Sequence, residues 1–133
     1  MSELTVDIIT AEKSLVEGAS ADSLLAPGVE GEFEVLPGHT TLLTGLEPGR
    51  VTIKGPQGTL NFAISGGFAE VMLGHVRILA DKASAAADIR ADEVRQALSA
   101  LEAQQAEADP FSGEADMLRQ TRRYLEVQEA LST

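Results

Sequence analysis

Turn signals recur along the first three-fifths of the chain, and their spacing constrains the fold more than any other feature. Gly18, Pro27-Gly28, Pro37-Gly38, Glu47-Pro48-Gly49, Gly55-Pro56-Gln57-Gly58, Gly66-Gly67 and Gly74 leave intervals of about five to eight residues, which suit strands and are short for helices. Within the intervals the pattern has a period of two. Leu4, Val6 and Ile8 alternate with Thr5 and Asp7, Phe33 and Val35 with Glu32 and Glu34, and Leu60, Phe62 and Ile64 with Asn61, Ala63 and Ser65. Alternation puts the apolar set on one face of a half-buried strand. Expected strands are Leu4 to Ile8, Ser14 to Glu17, Ala19 to Ala26 with Gly18 as a break, Glu32 to Val35, a patch at Leu42-Leu43, Arg50 to Lys54, Thr59 to Ser65, Phe68 to Leu73 and His75 to Ala80. Short strands at this spacing predict an antiparallel β-sandwich or barrel.

At Asp81 the character changes. Lys82 to Ala87 is small and weakly patterned; beyond it alanine, glutamate, glutamine and arginine dominate. The domain boundary is placed near Ser84, giving a sandwich over residues 1–84 and a two-helix unit over 85–133. Val94, Leu98 and Leu101 recur at helical spacing, with Ala91 and Ala108 extending the stripe and Asp92-Glu93 at the helix start. Asp109-Pro110-Phe111-Ser112-Gly113 breaks the helix, because the residue before proline avoids helical backbone and proline lacks an amide proton. A second helix follows, with Met117 or Leu118, Thr121, Tyr124 or Leu125, Gln128 and Leu131 on one face. A stripe that includes Thr121 and Gln128 is too polar to offset chain entropy of about 1–2 kcal/mol per residue by itself, so the hairpin needs a docking surface.

The 133 residues carry a formal charge of −11 and no cysteine. That balance argues against binding nucleic acid through phosphate neutralisation and points to protein partners, and without cysteine there is no disulfide or thiolate metal site. Met1 to Asp7 lacks the basic start and apolar core of a signal peptide, and the longest apolar stretch falls far short of the ~20 residues of a membrane span, so membrane association is expected through a partner, without direct insertion. Ser65-Gly66-Gly67 lacks the spacing of a nucleophile elbow or phosphate loop. No pair of titratable residues has catalytic spacing. The residues therefore point away from an enzyme.

In Gly31 to Val51 the order is Gly-Glu-Phe-Glu-Val-Leu-Pro-Gly-His-Thr-Thr-Leu-Leu-Thr-Gly-Leu-Glu-Pro-Gly-Arg-Val, followed by Ser65-Gly66-Gly67-Phe68-Ala69-Glu70-Val71 and His75-Val76-Arg77-Ile78-Leu79-Ala80-Asp81. This ordered set resembles the epsilon subunits of bacterial F-type ATP synthases. The resemblance implies about ten strands in an antiparallel sandwich and a carboxy-terminal α-helical hairpin. It also implies a non-catalytic rotor subunit of the central stalk that couples proton-driven rotation to ATP synthesis and restrains ATP hydrolysis through its helices. Its partners would be the gamma subunit, against the sandwich face carrying Ser65 to Val71, the c-ring and the beta subunit. Glu30, Glu32 and His39 would lie on the c-ring side, and Arg95, Arg119, Arg122 and Arg123 would face an acidic loop of beta. Asp92 and Arg95 match part of the family's nucleotide signature, implying a weak regulatory ATP contact; no cofactor is required. The place implied is the cytoplasmic face of the bacterial inner membrane, as a peripheral part of the complex.

The residues themselves also carry plainer readings. His39 is a turn residue, Asp92 with Arg95 a solvated helix pair, and the arginine cluster an exposed face paired with Asp116 and Glu126. The alternative function is a small acidic β-sandwich binding protein whose helices dimerise, whereas the rotor reading expects a monomeric free chain.

Overall fold

The computed structural model describes residues 3–38 and 41–132. Ten strands come first: β1 Leu4–Ile9, β2 Ser14–Ala21, β3 Ser23–Gly28, β4 Gly31–Val35, β5 Leu42–Leu46, β6 Gly49–Gly55, β7 Gly58–Ile64, β8 Gly67–Met72, β9 His75–Ala80 and β10 Ala83–Ala85. A 3-10 turn at Ala86–Asp88 leads to helices α1 Ala91–Glu107 and α2 Gly113–Leu131. The strands pair in the order β10-β7-β6-β3-β5-β8-β9-β1-β2, with β4 on β3. Neighbours are antiparallel except β1 and β9, which run parallel. β2 returns against β6 and β10, so the sheet wraps into a nearly closed sandwich.

The period of two does its work here. Val6, Ile8, Leu24, Val35, Val51, Ile64, Val71, Val76 and Ile78 are fully buried, and the whole main core lies between Leu4 and Ala80. No helix residue belongs to it. β7 departs from simple alternation: Phe62 and Ile64 enter the core, yet Ala63 on the other face is equally buried, because α2 packs on β6 and β7.

Two glycines set the chain path. Gly18, expected as a break, is a bulge within a continuous β2: Val6 pairs with Ala19 but Ile8 with Val16, so Asp7 faces two residues. Gly18 has φ +63° and donates its N–H to Asp7 Oδ1 at 2.6 Å. Gly67 has φ +139°, and a β-carbon there would lie 2.0 Å from the carbonyl oxygen of Leu79, so the β8–β9 pair closes only around glycine. Lys82 to Ala87, expected as weakly structured, holds β10 and the 3-10 turn; β10 pairs with β7, Ser84 opposite Ala63.

Asp7 joins three strands: besides Gly18 of β2, its Oδ2 meets His75 Nε2 of β9 at 2.6 Å. The Gly18 amide, then the His75 hydrogen bond, hold the Asp7 carboxyl below its usual value. A depressed folded-state pKa contributes stability that is present above the unfolded value near 3.9 and is lost as pH falls through the folded value. Asp7→Asn keeps an acceptor for Gly18 but loses the charge. It should cost about 1 kcal/mol at pH 7, and the gap in urea midpoint between wild type and variant should narrow as pH falls below the unfolded value of about 3.9. An equal gap at pH 7 and pH 3 would remove the carboxylate's role.

Candidate interaction site

α2 docks through residues one turn apart. Gln120 Nε2 donates to the Ser65 carbonyl at 3.2 Å, the Tyr124 hydroxyl lies 2.6 Å from Ser84 Oγ, and Gln128 Nε2 donates to the same Ser84 Oγ at 2.8 Å. Positions i, i+4 and i+8 share one helix face, so a single polar ladder meets the β7–β8 junction and β10. Tyr124 and Ala115 are buried. Burial pushes the Tyr124 phenol above its usual value, against the opposing effect of Ser84, so it stays neutral. Beside the ladder an open cavity of about 220 Å³ is lined by Ser65, Asp81, Lys82, Met117, Gln120, Thr121 and Tyr124. α1 packs along α2, burying Val94 and Leu101, and Val94 lines a depression with Ser84 and Ala85 of β10.

The arginines divide. Arg122 meets Glu126 and Gln105 at 3.4 and 3.0 Å and Glu102 at 3.5 Å, tying α2 to α1. Arg123 reaches Glu47 of the β5–β6 turn at 3.3 Å, while Arg119 pairs with Asp116 and donates to the Pro110 carbonyl. All three cations are thus held by carboxylates of this chain. The pairs are exposed and each contributes little. Arg95 and Asp92 are exposed on α1, and no hydrogen bond or ion pair joins them; the pair their spacing allows is not formed. Arg95 instead lines a shallow depression with Glu102, Arg122, Glu126 and Glu129, whose three carboxylates do not suit a polyanion.

Glu30, in the β3–β4 turn, and Glu32, at the start of β4, are exposed together at one end of the sandwich. His39 lies outside the described residues.

Away from the hairpin, β5, β8, β9 and β1 present an open face. Cross-strand register places Gly45, Phe68, Leu79 and Ile9 in one row, and Leu43, Glu70, Arg77 and Asp7 in the next. Phe68 is 57% exposed, Leu43 71% and Met72 49%. The charged residues pair among themselves, Arg77 with Glu70 at 3.9 Å and His75 with Asp7. The face therefore carries exposed large apolar side chains among charges that are each partnered, the composition of an interface rather than of free surface.

A family model described as "ATP synthase, Delta/Epsilon chain, beta-sandwich domain" matches residues 3–86. The chain belongs to the ATP synthase epsilon family. It is 43% identical over 104 residues to ATP synthase epsilon chain 2 of Ralstonia nicotianae, covering 77% of this chain and 73% of that one. It is 41% identical over 111 residues to the epsilon chain of Herpetosiphon aurantiacus, covering 84% and 79%. A chain in the Euglena gracilis mitochondrial ATP synthase assembly of OSCP, F1 and c-ring has the same fold, with TM-score 0.78, 24% identity and coverage of 98% and 81%. Another, in the central stalk and c-ring of the Tetrahymena thermophila enzyme, scores 0.66 at 16% identity, covering 98% and 96%. An epsilon chain is a non-catalytic subunit of ATP synthase. No described helix is long and apolar enough to cross a membrane.

In this epsilon chain, sequence reasoning missed the docking residues Gln120, Ser84 and Glu47; it pointed to the sandwich face carrying Ser65 to Val71, part of the open face, without its individual residues. Gln128 read as a flaw in an apolar stripe because its partner, Ser84, is 44 residues away. The regular spacing of Gln120, Tyr124 and Gln128 was the available signal.

Tyr124→Phe removes a hydroxyl while keeping the ring, and should weaken docking by about 1 kcal/mol. Hydrogen exchange of α2 amides should then quicken several-fold while β7 amides keep their rates. Unchanged α2 exchange would show that the ladder does not hold the helix.

Proposed function

We propose that this epsilon chain is a rotor subunit whose sandwich joins the gamma subunit to the c-ring and whose hairpin restrains ATP hydrolysis by leaving the sandwich for the beta subunit. The observation that carries the reading is the division of the molecule: a core complete within the sandwich and a hairpin attached through a polar ladder and exposed ion pairs. An element held by contacts that water can replace undocks without unfolding its support. The open face of β5, β8, β9 and β1 is the gamma surface, and the end carrying Glu30 and Glu32 faces the c-ring. In the released state Arg119, Arg122 and Arg123 exchange their carboxylates here for an acidic loop of beta, with Arg95 beside them. Differential contact with beta must supply the bias, since a ligand indifferent to conformation shifts nothing. By family, the site of action is the cytoplasmic face of the bacterial inner membrane.

The test is ATP hydrolysis by the matching alpha, beta and gamma complex with the full chain, with a chain ending after Asp88, and with full-length Phe68→Asp. Ending at Asp88 keeps β10 and the 3-10 turn. The full chain should bind and inhibit, the short chain should bind without inhibiting, and Phe68→Asp should bind at least tenfold more weakly, a loss of about 1.4 kcal/mol or more. Equal inhibition by the short chain would remove the hairpin's role, and unchanged binding of Phe68→Asp would remove the open face as the gamma surface.

ATP is at most a weak ligand of this chain, because Arg95 sits among carboxylates. Calorimetry on the isolated chain should show no dissociation constant below about 1 mM, a binding free energy near −4 kcal/mol. A micromolar constant would overturn this.

A further inference from the structure

Phe111 is 96% exposed, at the tip between α1 and α2. Phe62 and Phe33 belong to the core or pack on it, and Phe68 lies on the open face; Phe111 has no such apolar surround. The loop that presents it is tightly fixed. Asp109 Oδ1 accepts the Phe111 amide at 3.0 Å, and the Asp109 carbonyl accepts from the amide and hydroxyl of Ser112 at 3.0 and 2.7 Å. Ser112 Oγ caps α2 by accepting the Ala115 amide at 3.1 Å, and Arg119 holds the Pro110 carbonyl. An aromatic ring with two side-chain torsions on a pre-ordered loop loses little further entropy when a partner takes it.

The tip also has a definite address. Asp116 and Arg119 share a depression with Val29, Leu46, Glu47 and Pro48, and Arg119 contacts Pro110. With the hairpin docked, the tip therefore lies at the end of the sandwich formed by the β3–β4 and β5–β6 turns, where Glu30 and Glu32 are exposed. Val29 in that turn is 54% exposed. Residues 107–119 add Glu107, Asp109, Glu114 and Asp116 against Arg119 alone. This end is thus a composite of two turns and a helix tip, with apolar Phe111 and Val29 projecting from an anionic surround.

We propose that the docked hairpin completes the binding surface at this end, Phe111 serving as an anchor for a protein surface that offers an apolar pocket rimmed by Lys or Arg. An anionic lipid surface is disfavoured by the carboxylates. The proposal rests on the reading that this end faces the c-ring, and commits to the ring as occupant. Its consequence is reciprocal coupling. A ring that contacts Phe111 favours the docked hairpin, and a hairpin drawn toward the catalytic head loosens the grip on the ring by the same factor.

The probe is the detergent-solubilised c-ring of the matching enzyme, immobilised, with binding of the full chain measured at 50 and 300 mM KCl. Phe111→Ala should keep the thermal midpoint, since the residue is 96% exposed, and should weaken binding about tenfold, as expected for an aromatic anchor. Phe111→Leu should recover part of the loss. Higher salt should weaken both wild type and variant. In a second arm, Glu47→Cys with Arg123→Cys is joined by a short bismaleimide to keep the hairpin docked; the joined form should bind at least as tightly as the unjoined double variant, since the docked state is the one that binds. Wild-type binding that Phe111→Ala does not alter overturns the anchor and leaves the ring-facing end standing, as does weaker binding of the joined form than of the unjoined. Absence of wild-type binding overturns both readings. Tip-dependent formation of dimers in sedimentation would assign Phe111 to a second copy and overturn the ring as its occupant.

Discussion

The closure of the core within the sandwich is the constraint on which the rest of this molecule depends. From Leu4 to Ala80 the buried side chains contact one another without help from the helices, so the hairpin is free to be held weakly. Had Val94 or Tyr124 been part of the main core, releasing α2 would cost a fraction of the global stability, a few kcal/mol for each large side chain withdrawn. Instead, release exchanges the ladder at Ser65 and Ser84 and one exposed ion pair for water and uncovers Tyr124, Ala115 and Ala63, none of which belongs to the main core. Each such hydrogen bond has a net worth of about 1 kcal/mol, and exposed pairs less. The docked state is therefore favoured by a margin that a partner can match.

The same closure rests on a few backbone decisions. Gly67 lets β8 approach β9 where no β-carbon fits, and the bulge at Gly18 turns Asp7 toward both β2 and His75. The parallel β1–β9 pair is the one place where the sheet joins its beginning to its later strands, and Asp7 pins it from the outer face. That outer face is also the open apolar one. A carboxylate and an imidazole paired with each other add polarity to the interface without leaving a bare charge to be desolvated when a partner covers it.

Much of this was legible in the sequence, for reasons that also mark where legibility ended. Period-two alternation locates strands because one face is wet, and it located β1, β4, β6 and β7 well. It took Gly18 for a break, since a bulge and a turn both use a glycine with positive φ; the difference lies in whether the partner strand continues. It could not anticipate Ala63, buried on the face that alternation assigns to solvent, because the helix covering it is contributed by residues far along the chain. Gln128 read as weakness for the same reason: its counterpart on the sandwich, Ser84, is polar, and polarity matched across a sequence gap has no local signature.

Charge distribution ties these parts together. A net charge of −11 would oppose docking on any acidic partner if it were spread evenly. Here the charges of the open face are partnered, Glu70 with Arg77 and Asp7 with His75, while the excess carboxylates collect on the helices and at the end holding Glu30 and Glu32. A face with exposed Phe68, Leu43 and Met72 associates chiefly through burial, whereas an acidic end orients approach toward basic surfaces and is screened over ~8 Å at physiological ionic strength. The two surfaces are therefore chemically distinct and do not compete for one partner. On the proposed release, the arginines of α2, each satisfied here by a carboxylate of this chain, would form a third surface, with a new set of acids replacing the old ones. The proposed rotor role calls for that separation: a lasting attachment through burial, a charge-oriented end, and an ion-paired element whose pairs can be exchanged at little net cost.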